Sequence, residues 1–163
     1  MPQRPPVPAA DRTPQAQLTE GPMHGIVGYQ LAQAAIVTDH VFDERVGHSG
    51  ALRRVEYTML ALVQANPDVT ARQLARALSV TPPNVAIWLD RLESRGLVTR
   101  TKSTRDARMQ HVRITRAGAA LVDRSTALLI EGERAALAAL STAERAMLVE
   151  LLHKVAVSRP KGD

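Results

Sequence analysis

Two helix starts, eleven residues apart, constrain the fold of this chain more than any other feature. Thr70, with Gln73 three residues later, forms a capping box that predicts a short helix. Thr81 can cap the next helix through its hydroxyl, and Pro82 loses no hydrogen bond at the first helical position. A short helix, a turn, a second helix and a following hairpin predict a winged helix-turn-helix over residues 70–115.

Basic residues are concentrated at the end of this module. Residues 95–116 contain seven arginines and lysines against the single acid Asp106, a net charge of +6, whereas the whole chain carries +5. The excess charge is therefore confined to one segment, as expected of a surface that neutralises nucleic-acid phosphates. The seven basic residues are Arg95, Arg100, Lys102, Arg105, Arg108, Arg113 and Arg116.

Helical periodicity precedes the module, and alternating segments end it. Apolar residues recur at three- and four-residue spacing over residues 24–46 and again over 52–65, which predicts two helices. Residues 97–101 and 111–115 alternate as strands do, which predicts a two-stranded β wing.

Two further helices are predicted after the wing. Thr115 can cap a long helix from Arg116 to about Leu137, and Ser141 with Glu144 forms a capping box that opens the last helix. The terminal helices are more apolar than a winged domain needs, so we expect them to pair with a second copy. The last helix is predicted to bury Met147, Leu148, Leu151, Leu152 and Val155.

The resulting fold class is mainly α, a winged helix-turn-helix with long N- and C-terminal dimerisation helices and a two-stranded wing. Six of the ten prolines lie in the first 22 residues, where no apolar periodicity exists, so this stretch is predicted to be disordered. The expected organisation is a Pro-rich tail (1–22), dimerisation helices (23–48 and 116–158), the DNA-binding domain (49–115) and a flexible end (159–163).

Composition excludes several classes of protein. The chain contains no cysteine, so disulfides, thiol nucleophiles and thiolate metal sites are excluded. No apolar run is long enough for a secretory signal or a membrane span, and we expect a cytoplasmic protein with no membrane partner and no cofactor. No paired carboxylates, nucleophile with histidine and acid, or glycine-rich phosphate loop can be recognised, so an enzyme is not expected.

Five ordered motifs resemble those of the MarR family of bacterial regulators: LSVTPPNV at 78–85, DRLESRGLVTR at 90–100, RDAR at 105–108, ITRAG at 114–118 and LSTAE at 140–144. The resemblance covers residues 25–157. It implies a triangular homodimer whose terminal helices pair above two winged domains. It also implies a transcription factor, usually a repressor, that a small anionic phenolic or aromatic acid releases from DNA.

The DNA contacts follow from helical geometry and from this resemblance. One face of the helix that opens at Thr81 predicts major-groove contacts, and the polar members suit base edges and phosphates alike. The resemblance implies that Arg108 enters the minor groove while Asp106 holds it, and Lys102 and Arg105 are expected on phosphates. The chain has Ala86 and Ile87 where the family often has a hydroxyl residue and an arginine, so Ile87 would contact thymine methyls. The predicted set is Thr81, Pro83, Asn84, Ile87, Arg91, Lys102, Arg105, Asp106 and Arg108.

An effector site is expected near the junction of the first two helices. An aromatic acid needs an apolar slot, a cation and one or two hydrogen-bonding groups. This part of the chain offers Tyr29, Gln33, His40, Arg54 and Tyr57. The histidines and the glutamine suit a hydroxylated ring, such as a hydroxypyridine or hydroxybenzoic carboxylate.

Two alternatives stay open at this point. His40, Glu44 and His48 recur every four residues and could hold a transition metal, which would make the protein a metal-responsive regulator of the same fold. A nonspecific architectural DNA-binding protein is the other alternative, although its basic residues would be spread more widely.

Overall fold

The chain is largely helical, with one small antiparallel sheet. A computed structural model describes residues 11–48, 52–102 and 110–159. These residues divide into two compact units at the boundary between His40 and Val41. The helices are α1 (Val27–Phe42), α2 (Arg54–Ala65), α3 (Ala71–Leu78), α4 (Pro82–Ser94), α5 (Arg116–Ala136) and α6 (Thr142–Val157), and the strands are β1 (Val69–Thr70), β2 (Val98–Lys102) and β3 (Gln110–Ile114).

The sheet has three strands in the order β1-β3-β2, so the prediction of two strands was one short. Val69 pairs with Val112 and Thr70 with His111, while β2 pairs with β3 from Val98 opposite Ile114 to Lys102 opposite Gln110. A two-residue strand is too short for alternation to reveal it. Because β1 leads directly into α3, it joins the wing to the helix-turn-helix through backbone hydrogen bonds.

The core of the second unit lies between α2, α3, α4 and the sheet. On α4, three residues whose spacing places them on one face, Val85, Leu89 and Leu92, are at most 1% exposed. Burying a side chain of this size stabilises the fold by about 1.5 to 3 kcal/mol. The other side chains exposed by 2% or less are Val46, Met59, Leu60, Val63, Leu74, Val98 and Val112. The prediction of a winged helix-turn-helix core is confirmed.

Side-chain caps begin three of the helices, as the sequence predicts. The hydroxyl oxygens of Thr70 and Ser141 accept from the N–H groups of Gln73 and Glu144, both at 3.3 Å, in capping boxes. The Thr115 hydroxyl accepts from the N–H of Gly118 at 3.0 Å. These bonds satisfy amides that a helix leaves unpaired at its start.

The start of α5 lies unusually close to the chain that leaves α4. The Thr115 hydroxyl also donates to the carbonyl oxygen of Gly96, at 2.7 Å. A Cβ atom at Gly118 would stand 2.2 Å from the carbonyl oxygen of Leu97, so only glycine allows this approach. The position of α5 is thereby fixed against the end of α4.

The first helix differs from its predicted extent. The sequence predicts one helix over residues 24–46, whereas α1 ends at Phe42 and a π-helical turn, Asp43–Gly47, follows. The predicted break at residues 48–50 lies mostly outside the described residues. Gly132 of α5 packs on this turn, since a Cβ there would stand 2.7 Å from Val41 and 3.1 Å from Arg45.

The first unit contains local structure before α1. Arg12 and Thr19 form an isolated antiparallel bridge, and a 3₁₀ turn covers Gly21–Gly25. The carboxylate of Glu20, which is 6% exposed, accepts from the Tyr29 hydroxyl at 3.1 Å and bonds His24 at 2.7 Å. Residues 11–22 therefore have hydrogen-bonded turns within the stretch that the sequence predicts to be disordered. Residues 1–10 of that stretch lie outside the described part.

Helix α6 is uncovered in a single chain. The sequence predicts that Met147, Leu148, Leu151, Leu152 and Val155 are buried, but they are 36–54% exposed. The predicted burial is therefore not found within a single chain. A patch of this kind marks an interaction surface. No helix in the described parts is long and apolar enough to cross a membrane.

Candidate nucleic-acid interface

One face of α4 is exposed along its length. Thr81, Asn84, Ile87 and Arg91 are all exposed, whereas the opposite face of the helix is the core face described above. Pro83 is exposed beside them. The structure therefore brings the five predicted major-groove residues together on one surface. Ile87 is 51% exposed, an apolar side chain at the centre of that surface.

Thr81 begins α4 through its backbone and not, as predicted, through its hydroxyl. The carbonyl oxygen of Thr81 accepts from the N–H groups of Asn84 at 3.1 Å and Val85 at 3.3 Å, and its side chain makes no capping bond. A capping hydroxyl needs the N–H of the second or third helical residue. Pro83, the second residue, has no N–H, and the N–H of Asn84, the third, donates to the Thr81 carbonyl oxygen instead. The hydroxyl is thus not used to cap the helix.

Arg100 clamps the wing onto α4. The Arg100 guanidinium donates to the Glu93 carboxylate from Nε at 2.9 Å and lies 2.7 Å from Asp90, while the backbone N–H of Arg100 donates to Glu93 at 3.1 Å. Asp90 and Glu93 are three residues apart on α4, so both face β2. The bonds from Arg100 hold the pKa of the Glu93 carboxyl below its usual value of 4.5.

Two further basic residues of the charged segment are also paired with acids. Arg95 lies 3.5 Å from the Glu56 carboxylate at the start of α2, and Arg113 of β3 forms an ion pair with Asp68. The bond from Arg113 lowers the pKa of the Asp68 carboxyl. Among the described side chains of the segment, Arg95, Arg100 and Arg113 therefore neutralise acids of this chain, and the charge count overstated what faces a ligand.

Four basic residues of the segment remain. Arg116 begins α5 and is exposed. Lys102 is the last residue of β2. The predicted contacts Arg105, Asp106 and Arg108 lie outside the described residues, as does the tip of the wing. Strand β2 is described to Lys102 and β3 from Gln110, and Arg100 holds β2 against α4.

The predicted effector residues on α1 belong to the first unit. The hydroxyl of Tyr29 donates a hydrogen bond to Glu20. Desolvation, together with this bond, raises the pKa of Tyr29. Gln33 is half-buried and His40 is exposed. Tyr29 is thus a structural residue in this state, while Gln33 and His40 stay predictions.

The other two predicted effector residues belong to the second unit. The guanidinium of Arg54 lies over the Phe42 ring, 5.2 Å from its centroid, and 3.9 Å from the Asp43 carboxylate. The hydroxyl of Tyr57 shares a hydrogen bond of 2.9 Å with Thr126 of α5, and its ring lies 6.0 Å from that of Phe42. Arg54 also lines a cavity of about 480 Å³ together with Phe42, Asp43, Gly47, His48, Leu52 and Arg53.

His40, Glu44 and His48, the alternative metal ligands, form no metal centre in the described part of the chain. No group of three or more histidine, aspartate or glutamate side chains there is arranged to hold a metal ion. The Nδ1 of His48 donates to the backbone carbonyl of Asp43 at 2.6 Å.

Sequence reasoning missed two residues that shape this interface. Glu56 is a buried carboxylate, 5% exposed, that accepts from the backbone N–H of Arg53 at 3.0 Å and pairs with Arg95. Arg100 was counted only in the charge of the basic segment, whereas its guanidinium bonds Asp90 and Glu93 of α4. The signal for Glu56 was present, since it stands three residues after Arg53, the N-cap of α2, where a glutamate completes a capping box.

The fold and exposed surface define a winged helix-turn-helix DNA-binding protein, and comparisons with known proteins agree. Residues 52–109 match the model of the MarR family. A curated relative, the putative transcriptional regulatory protein for the hcr operon of Thauera aromatica, is 27% identical over 140 residues, covering 86% of this chain and 84% of the relative.

Solved structures share the fold over most of the chain. The transcriptional repressor CouR, bound to a 23-mer DNA duplex, has a TM-score of 0.78 and 29% identity and covers 86% of this chain and 99% of its own. A mutant of E. coli MarR in complex with operator DNA has a TM-score of 0.69 and 26% identity, with 78% and 91% coverage. Residues 52–109 are thus a MarR-family domain, and over most of its length the chain is similar to DNA-binding transcriptional regulators.

The clamp predicts how Glu93 titrates. Because the pKa of Glu93 is depressed by Arg100, the clamp stabilises the fold above pH 4.5, and this contribution is lost as the pH falls below 4.5 through the folded-state pKa. Arg100→Gln should return the pKa of Glu93 towards 4.5 and weaken DNA binding. The measurement is a carboxyl NMR titration of both proteins, with Arg116→Gln as the matched control. An unchanged Glu93 titration in Arg100→Gln would contradict the clamp.

Proposed function

We propose that this regulator binds a pseudo-palindromic operator as a homodimer and represses transcription from it. The observation that carries the proposal is the presence of two different exposed surfaces in one chain. The outward face of α4 is polar with one exposed isoleucine, whereas α6 exposes a row of large apolar side chains. One surface suits a DNA groove and the other suits burial against protein.

A second copy of the chain is the proposed occupant of the α6 surface. The exposed residues there are Met147, Leu148, Val149, Leu151, Leu152, Val155 and Val157, and on α5 Leu128 and Ile130 are exposed as well. A helix that is apolar on most sides is stable in water only when other helices cover it. Pairing two copies through α5 and α6 would bury this surface symmetrically and present two α4 helices to one duplex.

Each α4 helix is proposed to read one half-site in the major groove. Two copies related by a twofold axis would place their half-sites about one turn apart, about 10 base pairs. Thr81, Asn84 and Arg91 would contact base edges or phosphates, with Pro83 at the backbone. From the wing, Lys102 and Arg105 would contact phosphates, and Arg108, held by Asp106, would enter the minor groove.

The exposed side chain of Ile87 allows this proposal to be tested at the level of a single methyl group. Its exposed side chain has no polar atom, so we expect it to pack on a thymine methyl, worth about 0.8 kcal/mol or about fourfold in affinity. The operator is first located by footprinting the DNA that flanks the protein's own gene. Replacing thymine by deoxyuridine, one position at a time, should weaken binding at one position of each half-site.

The same substitution should have no effect on Ile87→Ala, because that variant has already lost the contact. Deoxyuridine outside the footprint is the matched control for general effects on the duplex. If the wild-type protein binds every substituted operator as tightly as the thymine duplex, Ile87 does not read a methyl group. If no segment is protected at all, the proposed operator binding fails.

We further infer that a small aromatic acid binds in the cavity beside Arg54. The cavity volume of about 480 Å³ suits one ring with its substituents. Phe42 and Leu52 supply an apolar wall, and Arg54 supplies a cation that already lies over an aromatic ring. The carboxylate of Asp43, 3.9 Å from Arg54, is distant enough to be replaced by a ligand carboxylate. The effector class is a hydroxybenzoic or hydroxypyridine carboxylate.

Release of the protein from DNA would follow from a difference between the ligand's affinities for two states of the dimer. A ligand that binds better to dimers whose α4 helices are misplaced for the groove weakens DNA binding by the ratio of its two affinities. Tyr57 remains a proposed ligand contact at this cavity, whereas Tyr29, Gln33 and His40 of the first unit remain predictions. A ligand that uses the Tyr29 hydroxyl would have to break its bond to Glu20, which makes Tyr29 the costliest of them.

Calorimetric titration with 4-hydroxybenzoate and 6-hydroxypyridine-3-carboxylate tests this effector site. Wild-type protein should bind at least one acid, and Arg54→Ala should bind it about tenfold more weakly, because a charged hydrogen bond is lost. Arg72→Ala, an exposed arginine on α3, is the matched control. In 4-hydroxybenzamide an uncharged amide replaces the carboxylate, so this compound should bind the wild type and Arg54→Ala equally. Absence of heat with every acid at millimolar concentration would contradict the proposal.

A further inference from the structure

A buried carboxylate lies between the cavity and the end of the recognition helix α4. Glu56 stands in the first turn of α2 and is 5% exposed. One of its oxygens accepts from the backbone N–H of Arg53 at 3.0 Å and lies 3.5 Å from Nη1 of Arg95. Arg53 lines the cavity, and Arg95 is the residue that ends α4. The same carboxylate oxygen therefore contacts a residue that lines the cavity and the residue at the end of α4.

Burial makes this contact difficult to break. A carboxylate removed from water is costly unless a cation and hydrogen-bond donors compensate it, and loss of one partner leaves an uncompensated charge. The contacts of Glu56 with the N–H of Arg53 and the guanidinium of Arg95 supply this compensation. If the start of α2 shifts while the charge of Glu56 stays compensated, Arg95 must move as well.

The end of α4 is a place where a small shift matters. The N–H of Arg95 donates to the carbonyl oxygen of Arg91 at 3.2 Å, and Arg91 lies on the outward face. Moving Arg95 therefore pulls on the last turn of the helix that would lie in the groove. Three contacts, from Arg53 to Glu56, from Glu56 to Arg95 and from Arg95 to Arg91, thus link the cavity to the outward face of α4.

We propose that Glu56 is a positioning residue that couples the start of α2 to the recognition helix through Arg95. This inference rests on the proposed reading role of α4. Glu56 would touch neither DNA nor effector. In the absence of a ligand it holds α4 in register with the groove, and a ligand that displaces Arg53 moves α4 through the same ion pair.

The test is a double-mutant cycle on operator affinity, without ligand. Glu56→Gln keeps an acceptor for the Arg53 N–H but loses the charge, and we expect operator binding to weaken by about fivefold. Arg95→Gln should weaken it by more, because the buried carboxylate is left without its cation. The variant with both changes should bind better than Arg95→Gln alone. Arg95→Lys, which retains the charge, should bind nearly as the wild type does.

Controls separate positioning from folding and from phosphate contact. Asp123→Asn is the matched control, since Asp123 also bonds α2, through Gln64 at 2.9 Å, but is exposed on α5. Thermal unfolding shows that each variant is folded before its affinity is used. Additive effects of the two changes, or a weakening in Arg95→Gln with a reduced salt slope and none in Glu56→Gln, would overturn the proposal. The second pattern would make Arg95 a phosphate ligand.

A ligand arm uses 4-hydroxybenzoate and 6-hydroxypyridine-3-carboxylate. In the wild type, saturation with an acid that binds should weaken operator affinity, whereas in Glu56→Gln the ratio of affinities with and without acid should fall towards one while the heat of binding persists. An unchanged ratio would remove the coupling role. If neither acid binds, the proposed effector fails while the ligand-free cycle still decides the role of Glu56.

Discussion

The fastening of the C-terminal end of α4 is the constraint on which the rest of this structure depends. Gly96 leaves the helix with a positive φ of 68°, and the N–H of Leu97 donates back to the carbonyl oxygen of Leu92 at 2.9 Å. From this point Arg100 clamps the wing, Thr115 fixes α5 and Arg95 reaches α2. A reading helix is useful only when its orientation is fixed, and here three elements fix it at one end.

Much of the fold could be predicted from the sequence because its signals are local. The capping boxes at Thr70 and Ser141, the glycine after α4 and the inward spacing of Val85, Leu89 and Leu92 each depend on neighbours within a few residues. The outward face of α4 follows from the same periodicity. The five residues predicted there are all exposed together, as helical geometry requires.

The features that sequence reasoning missed depend on partners distant in the chain. The pairing of Val69 with Val112 defines a third strand, yet neither residue signals the other. Arg100 looks like any wing arginine until Asp90 and Glu93 are found beside it. Counting charges measures the composition of a segment, whereas affinity for phosphate depends on cations that no carboxylate of the chain has neutralised. The exposure of α6 shows the same limit, because apolar periodicity does not tell whether the covering surface lies in the same chain.

The most direct test of the central claim is the stoichiometry of the protein, alone and on DNA. Sedimentation velocity at micromolar concentration should give a dimer without DNA and two chains per duplex on the footprinted operator, with two protected segments about one helical turn apart. A monomer in both conditions, or one chain bound per duplex with a single protected segment, would contradict the account.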